Sequence, residues 1–234
     1  MNPVRVSCIM PTMAARRRFW PLAIENFLKQ DYPNLELVIL HDSDKADWQP
    51  ILPADNRIRY YSAPIAGRHT GGRRNMACEL ATGEIIVHWD DDDWYAPDWI
   101  SRQVALLENT GAAISGLDKL LFYAPMQRYA TLYTYTIDKR SWVAGATMAY
   151  RKSLWEKRPF RDVKMGEDND FVWNCGEQVA ILPYLEGFVA TIHPGNTSPK
   201  YTTTSKVWTD YPVTDIARIL GERYTVLSNK DFFS

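Results

Sequence analysis

Four consecutive aspartates, Asp90, Asp91, Asp92 and Asp93, are the residues whose type and spacing suggest chemistry most directly. Two carboxylates about 5 Å apart repel each other by roughly 3 kcal/mol at an effective dielectric constant of ~20, so four in a row are hard to keep ionised without a cation. In extended backbone, Asp90 and Asp92 would point to one side and Asp91 and Asp93 to the other. A carboxylate pair on one side suits Mg²⁺ or Mn²⁺ with a bound diphosphate. The alternative is an acidic turn in which one aspartate caps the next helix.

Glycines and basic residues are mixed in the segment 67–75, shortly before this tetrad. Its glycines would let backbone amides approach an anion, and the helix that follows would add its positive N-terminal end. Arg68, Arg73 and Arg74 carry guanidinium groups, which suit phosphate oxygens. The segment therefore predicts contacts with phosphate, although a basic glycine-containing loop is a weak signal when taken alone.

Two downstream positions could complete a reaction centre. Glu167 and Asp168 follow Gly166, and a carboxylate there could take a proton from an attacking hydroxyl group as a general base. The alternative is that these acids only begin a helix, whose dipole favours negative charge in the first turn. His193 ends an apolar, strand-like run and is expected to contact the metal or the diphosphate, with a structural histidine as its alternative.

The elements that must position these residues follow an order typical of a parallel sheet covered by helices. The strands are near-continuous apolar runs, as expected when both faces of a sheet are buried. The first helix has a clear apolar face, formed by Trp20, Ala23, Ile24, Phe27 and Leu28. In chain order, the first half predicts strand 4–10, helix 18–30, strand 35–40, strand 57–62, helix 72–81, strand 84–89 and helix 97–108.

The second half is richer in Tyr, Thr and Leu and predicts a region dominated by strands. In chain order, it predicts strands 118–124, 129–137 and 143–150, a helix near 168–175, strands 179–182 and 186–193, and one short helix near 214–220. The aspartate tetrad thus directly follows a predicted strand, and Asp168 lies at the start of a predicted helix.

The composition excludes several classes of protein. Lys and Arg total 27 and Asp and Glu total 28, so the net charge of −1 lacks the electrostatic signature of a general nucleic-acid binder. There is no apolar run long enough for a transmembrane segment, and the start of the chain does not resemble a signal peptide. Three distant cysteines fit free thiols in a reducing compartment. We therefore expect a cytoplasmic protein without a nucleic-acid partner, for which peripheral membrane association stays open.

Taken in this order, the motifs resemble the family 2 glycosyltransferases, which have the GT-A fold. Residues 23–39 are similar to that family's first helix and second strand at nearly every position, and the stretch 90–94 resembles its Asp-x-Asp-Asp metal motif. The stretch 73–75 resembles its Ala-Arg-Asn element, and 166–168 resembles its Glu-Asp motif. The stretch 41–44 stands at the family's acidic turn but lacks the usual glycine.

The resemblance covers roughly residues 4–193. It implies an α/β fold with a Rossmann-like, mostly parallel central sheet flanked by helices and a smaller mixed or antiparallel sheet on the acceptor side. It also implies one domain over residues 1–234, with a nucleotide-binding half (1–110), an acceptor-side half (111–195) and a C-terminal tail (196–234).

The activity implied by the resemblance is metal-dependent sugar transfer with inversion at the anomeric carbon. The donor would be a nucleotide-sugar, with a UDP-sugar favoured, and the cofactor would be Mn²⁺ or Mg²⁺. The acceptor would offer a hydroxyl group of a saccharide, a lipid-linked saccharide or a peptide. The family's processive synthases carry transmembrane helices and a Gln-x-x-Arg-Trp motif, and neither occurs in this sequence, which favours transfer of a single sugar.

Positions carried over from the family motifs assign a role to each site residue. Asp168 would be the catalytic base, supported by Glu167. Asp92 would bind the metal beneath the diphosphate, with Asp90 and His193 as further metal contacts. The residues predicted to bind the donor are Pro11, Thr12, Arg16, Asp42, Arg68, Arg73, Arg74, Asp90 and Asp91.

Two other functions stay open at this point. A nucleotidyltransferase also joins a parallel sheet to acidic metal ligands, but it usually carries a glycine-rich loop directly after its first strand. Residues 11–16 contain no glycine, which argues against that function. The second alternative is an inactive nucleotide- or sugar-binding relative that serves as a partner subunit.

Overall fold

The first strand shows how apolar runs build the centre of the fold. Val6, Cys8 and Met10 pack into one hydrophobic cluster, whereas Ile9 packs into a second, so the strand is buried on both faces. Such strands lie inside a sheet that is covered on both sides. The computed structural model describes residues 3–42, 53–64, 67–136, 140–196 and 205–233. Ser43 and Asp44 of the predicted acidic turn lie outside the described residues.

The strands and helices are labelled here in chain order. The strands are β1 (Val6–Thr12), β2 (Leu35–His41), β3 (Ile58–Ser62), β4 (Ile85–His88), β5 (Trp94–Tyr95), β6 (Ile114–Gly116), β7 (Lys119–Ala124), β8 (Tyr129–Thr134), β9 (Ala149–Arg151), β10 (Val179–Ile181), β11 (Phe188–Thr191) and β12 (Trp208–Asp210). The α-helices are α1 (Trp20–Leu28), α2 (Thr70–Leu80), α3 (Trp99–Thr110), α4 (Lys152–Lys157), α5 (Glu167–Trp173), α6 (Val213–Leu220) and α7 (Glu222–Ser228). Short 3-10 turns occupy Ala14–Phe19, Gly145–Thr147, Leu185–Gly187 and Lys230–Phe233.

Two sheets are present in the described part of the chain. The central sheet has the strand order β10-β6-β9-β4-β1-β2-β3, and its neighbours are parallel except where β9 runs antiparallel to β4 and β6. The smaller sheet has the order β12-β8-β7-β11-β5, in which β7 and β11 are parallel and the other pairs antiparallel. The predicted fold class, a mostly parallel central sheet with a smaller mixed sheet, is confirmed.

Helices cover both faces of the central sheet. Trp20 and Phe27 of α1 and Trp99 of α3 belong to the hydrophobic cluster on one face. Cys78 of α2 and Phe171 of α5 belong to the cluster on the other. The parallel strands therefore run between two helical layers, with their carboxyl ends free to carry polar residues.

Two segments near the site differ from the sequence prediction. The first helix begins at Trp20 rather than residue 18, because Pro21 fits the first turn of an α-helix and the preceding residues form a 3-10 turn. The segment 143–150 is not one strand. It contains the 3-10 turn Gly145–Thr147, which the Thr147 hydroxyl holds by accepting the Leu117 N–H (3.0 Å) and donating to the Ala144 carbonyl oxygen (2.8 Å).

The C-terminal tail contains more structure than the sequence predicts. Helix α6 matches the predicted helix, but a second helix, α7, follows Gly221, which adopts a positive φ of 55°. The pattern of α7 is hard to recognise because Val226 is exposed, whereas Leu227 is buried in a third cluster. Strand β12 also extends the smaller sheet by pairing with β8. None of the helices in the described residues has both the length and the apolarity needed to cross a bilayer.

Candidate active site

A cavity of about 410 Å³ opens where the parallel strands end. Pro11 and Thr12 end β1, and the aspartate tetrad follows β4, so the cavity lies at the edge where open α/β sheets bind ligands. The predicted site residues that line it are Pro11, Thr12, Arg16, Arg73, Arg74, Asp90, Asp91, Asp92, Glu167 and Asp168. His193 reaches this group through a hydrogen bond to Asp92.

Two predicted donor contacts, Asp42 and Arg68, lie outside the cavity lining although both are described. One carboxylate oxygen of Asp42 accepts the backbone N–H of Ala14 (2.8 Å), which holds the turn after β1. The Arg68 carbonyl oxygen accepts a hydrogen bond from Arg73 Nε (3.1 Å). The structure therefore gives both residues local contacts in the loops around the cavity.

The tetrad forms a turn, so the expected alternation of its side chains is wrong. Asp91 and Asp92 both pair with Arg16 instead of pointing to opposite sides. Asp93 is buried and accepts the backbone N–H of Thr191 in β11 (3.0 Å). The expected periodicity fails because it assumes extended backbone, and the chain turns at Asp91 and Asp92.

Arg16 holds this turn together from the side of β1. Its Nε donates to Asp91 Oδ1 (2.9 Å), its Nη2 lies 2.6 Å from Asp92 Oδ2, and its Nη1 donates to the Gly195 carbonyl oxygen (2.7 Å). The Thr12 hydroxyl donates to Asp91 as well. Arg16 and Thr12 thus line the cavity while their polar groups are bonded within the protein.

Asp92 is surrounded by hydrogen-bond donors. Its Oδ2 accepts His193 Nε2 (2.9 Å) and Asn196 Nδ2 (3.0 Å). His193 Nδ1 accepts the Gly195 N–H (3.1 Å), which leaves Nε2 as the protonated nitrogen. Burial raises the pKa of Asp92, but the His193 hydrogen bond and the Arg16 charge outweigh it and lower the pKa below its usual value. Asp92 is therefore ionised at neutral pH.

Asn196 is a site residue that the sequence reasoning missed. Besides contacting Asp92, it accepts the His193 N–H through Oδ1 (2.7 Å), so one amide side chain orients both groups. The available signal was a Pro-Gly-Asn turn placed directly after His193. Such turns bring an asparagine side chain back to nearby backbone and side-chain groups.

The carboxylates of Asp90 and Asp92 line the cavity and are oxygen ligands of the kind that suits a divalent cation sharing its ligands with a substrate. In the described ranges, no three His, Cys, Asp or Glu side chains are close enough to hold a metal ion by themselves. Mg²⁺ sites of nucleotide enzymes commonly use only one or two protein carboxylates together with substrate phosphates. Asp92 and Asp90 would supply hard oxygen ligands there, and His193 would supply Nε2 only as the tautomer that carries its proton on Nδ1 in place of the hydrogen bond from the Gly195 N–H.

Gly71 and Gly72, in the first turn of α2, are in close contact with another part of the chain. A Cβ on Gly71 would collide with the Arg161 carbonyl oxygen, and one on Gly72 would lie 2.7 Å from the Asp162 carboxylate. Asp162 Oδ1 also accepts the His69 N–H at the start of α2 (2.8 Å). The absence of side chains on these two glycines therefore makes room for the Arg161 backbone and the Asp162 carboxylate.

Arg74 and Glu167 form a buried ion pair beside the cavity. The distance from Arg74 Nη1 to Glu167 Oε1 is 2.8 Å, and the guanidinium lies over the Phe160 ring. Burial lowers the pKa of Arg74, but nearby carboxylates, led by Asp90, raise it by more. Burial also raises the pKa of Glu167. The pair joins α2 to α5 and so positions the residue that follows Glu167.

Asp168, in the first turn of α5, is half-buried and lines the cavity. One of its oxygens accepts the backbone N–H of Asn169 (2.8 Å), and the other faces Gly145. A Cβ on Gly145 would lie only 2.6 Å from Asp168 Oδ2, so a glycine is required there. Gly166 has a φ of 83°, which a glycine adopts without strain before α5.

A buried histidine supports this corner of the cavity from behind. His88 Nδ1 donates to the Gly145 carbonyl oxygen (2.5 Å), and its Nε2 lies 3.3 Å from the Tyr150 hydroxyl. Burial, followed by the charge of Arg74, holds the pKa of His88 well below its ordinary value of 6.5. His88 is therefore neutral in the folded protein near neutral pH.

We expect the free energy of unfolding to fall as the pH drops below 6.5, the ordinary pKa of histidine. The unfolded chain protonates His88 in this range and the folded chain does not, so the unfolded state binds more protons and stability rises with pH. Urea unfolding from about pH 7.5 to about pH 5.5 measures this slope. The variant His88→Gln should have a shallower slope than the wild type, and His69→Gln, at an exposed position, is the control. An equal slope in His88→Gln and the wild type would contradict the prediction.

The family model for Glycosyl transferase family 2 matches residues 7–165, more than half of the chain. The chain belongs to glycosyltransferase family 2. The match includes the ends of β1 and β4, the tetrad and α2, and it stops just before Glu167. The glycosyltransferase resemblance of the sequence motifs is therefore confirmed.

Curated relatives share part of their length with this chain. Over 109 residues it is 30% identical to the UDP-Glc:alpha-D-GlcNAc-diphosphoundecaprenol beta-1,3-glucosyltransferase WfgD of Escherichia coli. The matched segment covers 46% of this chain and 42% of WfgD. Over 93 residues it is 28% identical to the GalNAc(5)-diNAcBac-PP-undecaprenol beta-1,3-glucosyltransferase of Campylobacter jejuni, and this match covers 38% of this chain and 30% of that relative. The chain therefore matches less than half the length of either relative.

Solved structures of glycosyltransferases share the fold of this chain. The complex of S. aureus TarS 1-349 with UDP-GlcNAc superposes with a TM-score of 0.61 at 19% identity, covering 84% of this chain and 61% of that one. The mannosyltransferase PcManGT from Pyrobaculum calidifontis, in complex with GDP-Man and Mn²⁺, superposes with a TM-score of 0.62 at 19% identity. The superposition covers 82% of this chain and 57% of the PcManGT chain. The GT-A fold is thereby confirmed.

Proposed function

We propose that this glycosyltransferase moves a single sugar from a nucleotide-sugar, with a UDP-sugar favoured, to a hydroxyl group of a saccharide or lipid-linked saccharide. The observation that carries the proposal is one cavity lined by two kinds of carboxylate. Asp92 is ionised and hydrogen-bonded to His193, and Asp168 lies half-buried at the start of α5. The UDP-Glc and diphosphoundecaprenol named for the Escherichia coli relative support the choice of donor and acceptor.

The donor would bind at the carboxyl ends of β1 and β4. Asp92 and His193, with Asp90, would hold Mn²⁺ or Mg²⁺, which when bound would offset the negative charge developing on the leaving diphosphate. Arg73 lines the cavity and is suited to a phosphate oxygen. Arg16 would keep Asp91 and Asp92 in one arrangement, so that the site is ready before the donor arrives.

The acceptor hydroxyl group would lie beside Asp168 and react with the anomeric carbon of the donor sugar. As the acceptor oxygen bonds to the anomeric carbon, the bond from that carbon to the diphosphate oxygen breaks, and the hydroxyl proton passes to Asp168. Glu167 is held by Arg74, so it positions α5 and leaves Asp168 as the base. One base acting with a leaving diphosphate on the other side of the sugar corresponds to inversion at the anomeric carbon.

A thermal-shift screen tests the proposal. Purified protein with Mn²⁺ is exposed to UDP-, GDP-, dTDP- and CDP-sugars, and a donor at about a hundred times its dissociation constant should add roughly 2.7 kcal/mol of stability. We expect a UDP-sugar to give the largest shift and to be hydrolysed slowly without acceptor. If no donor shifts the melting temperature and none is hydrolysed, the proposal is wrong. A shift without any hydrolysis or transfer would instead favour the inactive binding subunit.

A further inference from the structure

Four aromatic side chains form a continuous surface in the same cavity. This aromatic surface consists of Phe122 of β7, Tyr133 of β8, Trp208 of β12 and Trp142, which precedes the turn Gly145–Thr147. The ring centroid of Trp208 lies 5.0 Å from that of Phe122 and 4.9 Å from that of Tyr133. The ring centroids of Tyr133 and Trp142 are 5.9 Å apart. None of the four carries a charge, so the surface suits an apolar ligand face rather than a phosphate.

Trp142 is tied to the helix that carries Asp168. Its Nε1 donates to Asn169 Oδ1 (2.7 Å), and Asn169 is the residue directly after Asp168. Tyr135 stacks on the indole, with ring centroids 4.7 Å apart and planes inclined by 18°. A ligand lying on Trp142 would therefore be held at a fixed position relative to the Asp168 carboxylate.

The chemistry of the surface selects its ligand. The face of an aromatic ring is electron-rich and attracts the weakly positive C–H groups on one side of a pyranose ring. Polar groups at the edge of the aromatic surface, such as Asp168, can then form hydrogen bonds with the hydroxyl groups of the sugar. Because the diphosphate end of the cavity lies at Asp92, a surface joined to Asp168 faces the acceptor.

We propose that the aromatic surface is an acceptor subsite that stacks a pyranose ring, with Trp142 setting the reacting hydroxyl group against Asp168. The assignment of the ring to the acceptor rests on the proposed sugar transfer. A peptide chain or a lipid phosphate would not need this uncharged aromatic surface, and either one is an outcome of the test.

The first experiment measures saccharide binding without a donor. Saturation-transfer-difference NMR uses the full chain with methyl glycosides and β-linked disaccharides of glucose, galactose, mannose and N-acetylglucosamine. We expect signals concentrated on the C–H protons of one ring face, which weaken about tenfold in Trp142→Ala. Trp173→Phe, on α5 and outside the cavity lining, is the matched control and should keep them. If no saccharide gives a signal, or if undecaprenyl phosphate or a peptide gives one in its place, the proposal is overturned.

The second experiment separates binding from positioning. With a donor that the wild type hydrolyses, Trp142→Ala should raise the acceptor KM about tenfold and reduce kcat/KM for transfer more than it reduces donor hydrolysis, which needs no saccharide acceptor. Trp142→Phe keeps a ring but cannot donate to Asn169, so it should keep saccharide signals and lower kcat. Equal loss of donor hydrolysis and transfer in Trp142→Ala would assign the surface to the donor and overturn the proposal. Saccharide signals that depend on Trp142, without binding of any nucleotide-sugar, would support the subsite and contradict the proposed transferase function.

Discussion

Replacement of Asp168 by asparagine should lower kcat for sugar transfer by about 10²–10⁴-fold while donor binding stays intact, because an amide cannot accept the hydroxyl proton. Asparagine has nearly the same shape, so the contact with Gly145 and the hydrogen bond from the Asn169 N–H are preserved. Initial rates at saturating donor and acceptor measure the loss, and the thermal shift with donor measures binding.

Asp170→Asn is the matched control for this experiment. Asp170 lies on the same helix, but its carboxylate faces Arg158 and Arg161 at 3.7 and 3.5 Å and is not part of the cavity lining. Its kcat should stay within about twofold of the wild type, since exposed ion pairs contribute little. Near-normal transfer by Asp168→Asn with intact donor binding would show that another group acts as the base.

The second large effect is expected at Asp92. The Asp92→Asn variant should lose the dependence of transfer on Mn²⁺ and fall about 10²–10³-fold in kcat, since charge stabilisation by a metal contributes several kcal/mol. Electron paramagnetic resonance of Mn²⁺ with UDP measures metal binding directly. The variant should remain folded, because Arg16 would still pair with Asp91 and no buried charge would be left alone.

Asp98→Asn provides the comparison for Asp92. Asp98 lies just beyond the tetrad, pairs with Arg102 (2.6 Å) and does not line the cavity. The Asp98→Asn variant should keep the electron paramagnetic resonance signal of bound Mn²⁺ and the wild-type rate of transfer. If Asp92→Asn also kept the Mn²⁺ dependence, the metal would bind elsewhere in the protein.

The central sheet could be predicted because its signals are local. The run of buried apolar residues in β1 and the helical face through Trp20 and Phe27 depend on a few consecutive residues. The turn Gly145–Thr147 could not be predicted, since its shape depends on Leu117 and Asp168, which are distant in sequence. Helix α7 was missed for a related reason, because its one buried residue, Leu227, leaves no periodic pattern.

The sequence indicates which residues belong to the candidate site, but it does not indicate which of them form ion pairs and hydrogen bonds with each other. The predicted acids of the tetrad and Asp168 line one cavity, and His193 is hydrogen-bonded to Asp92. The ion pair between Arg16 and Asp91 joins residues 75 positions apart, so no local spacing rule indicates it. The contacts of Gly71 with Arg161 and of Gly72 with Asp162 also join residues that are distant in sequence, so no local pattern indicates them.

The separation of the two sheets has a practical consequence for protein engineering. The carboxylate turn follows β4 of the central sheet, whereas Phe122, Tyr133 and Trp208 belong to β7, β8 and β12 of the smaller one. Substitutions on these three strands leave the hydrogen bonds of Arg16 and Asp92 untouched. If the aromatic surface binds the acceptor, a library confined to these strands should change the acceptor preference and leave donor binding unchanged, with β12, an edge strand, as the most accessible place to begin.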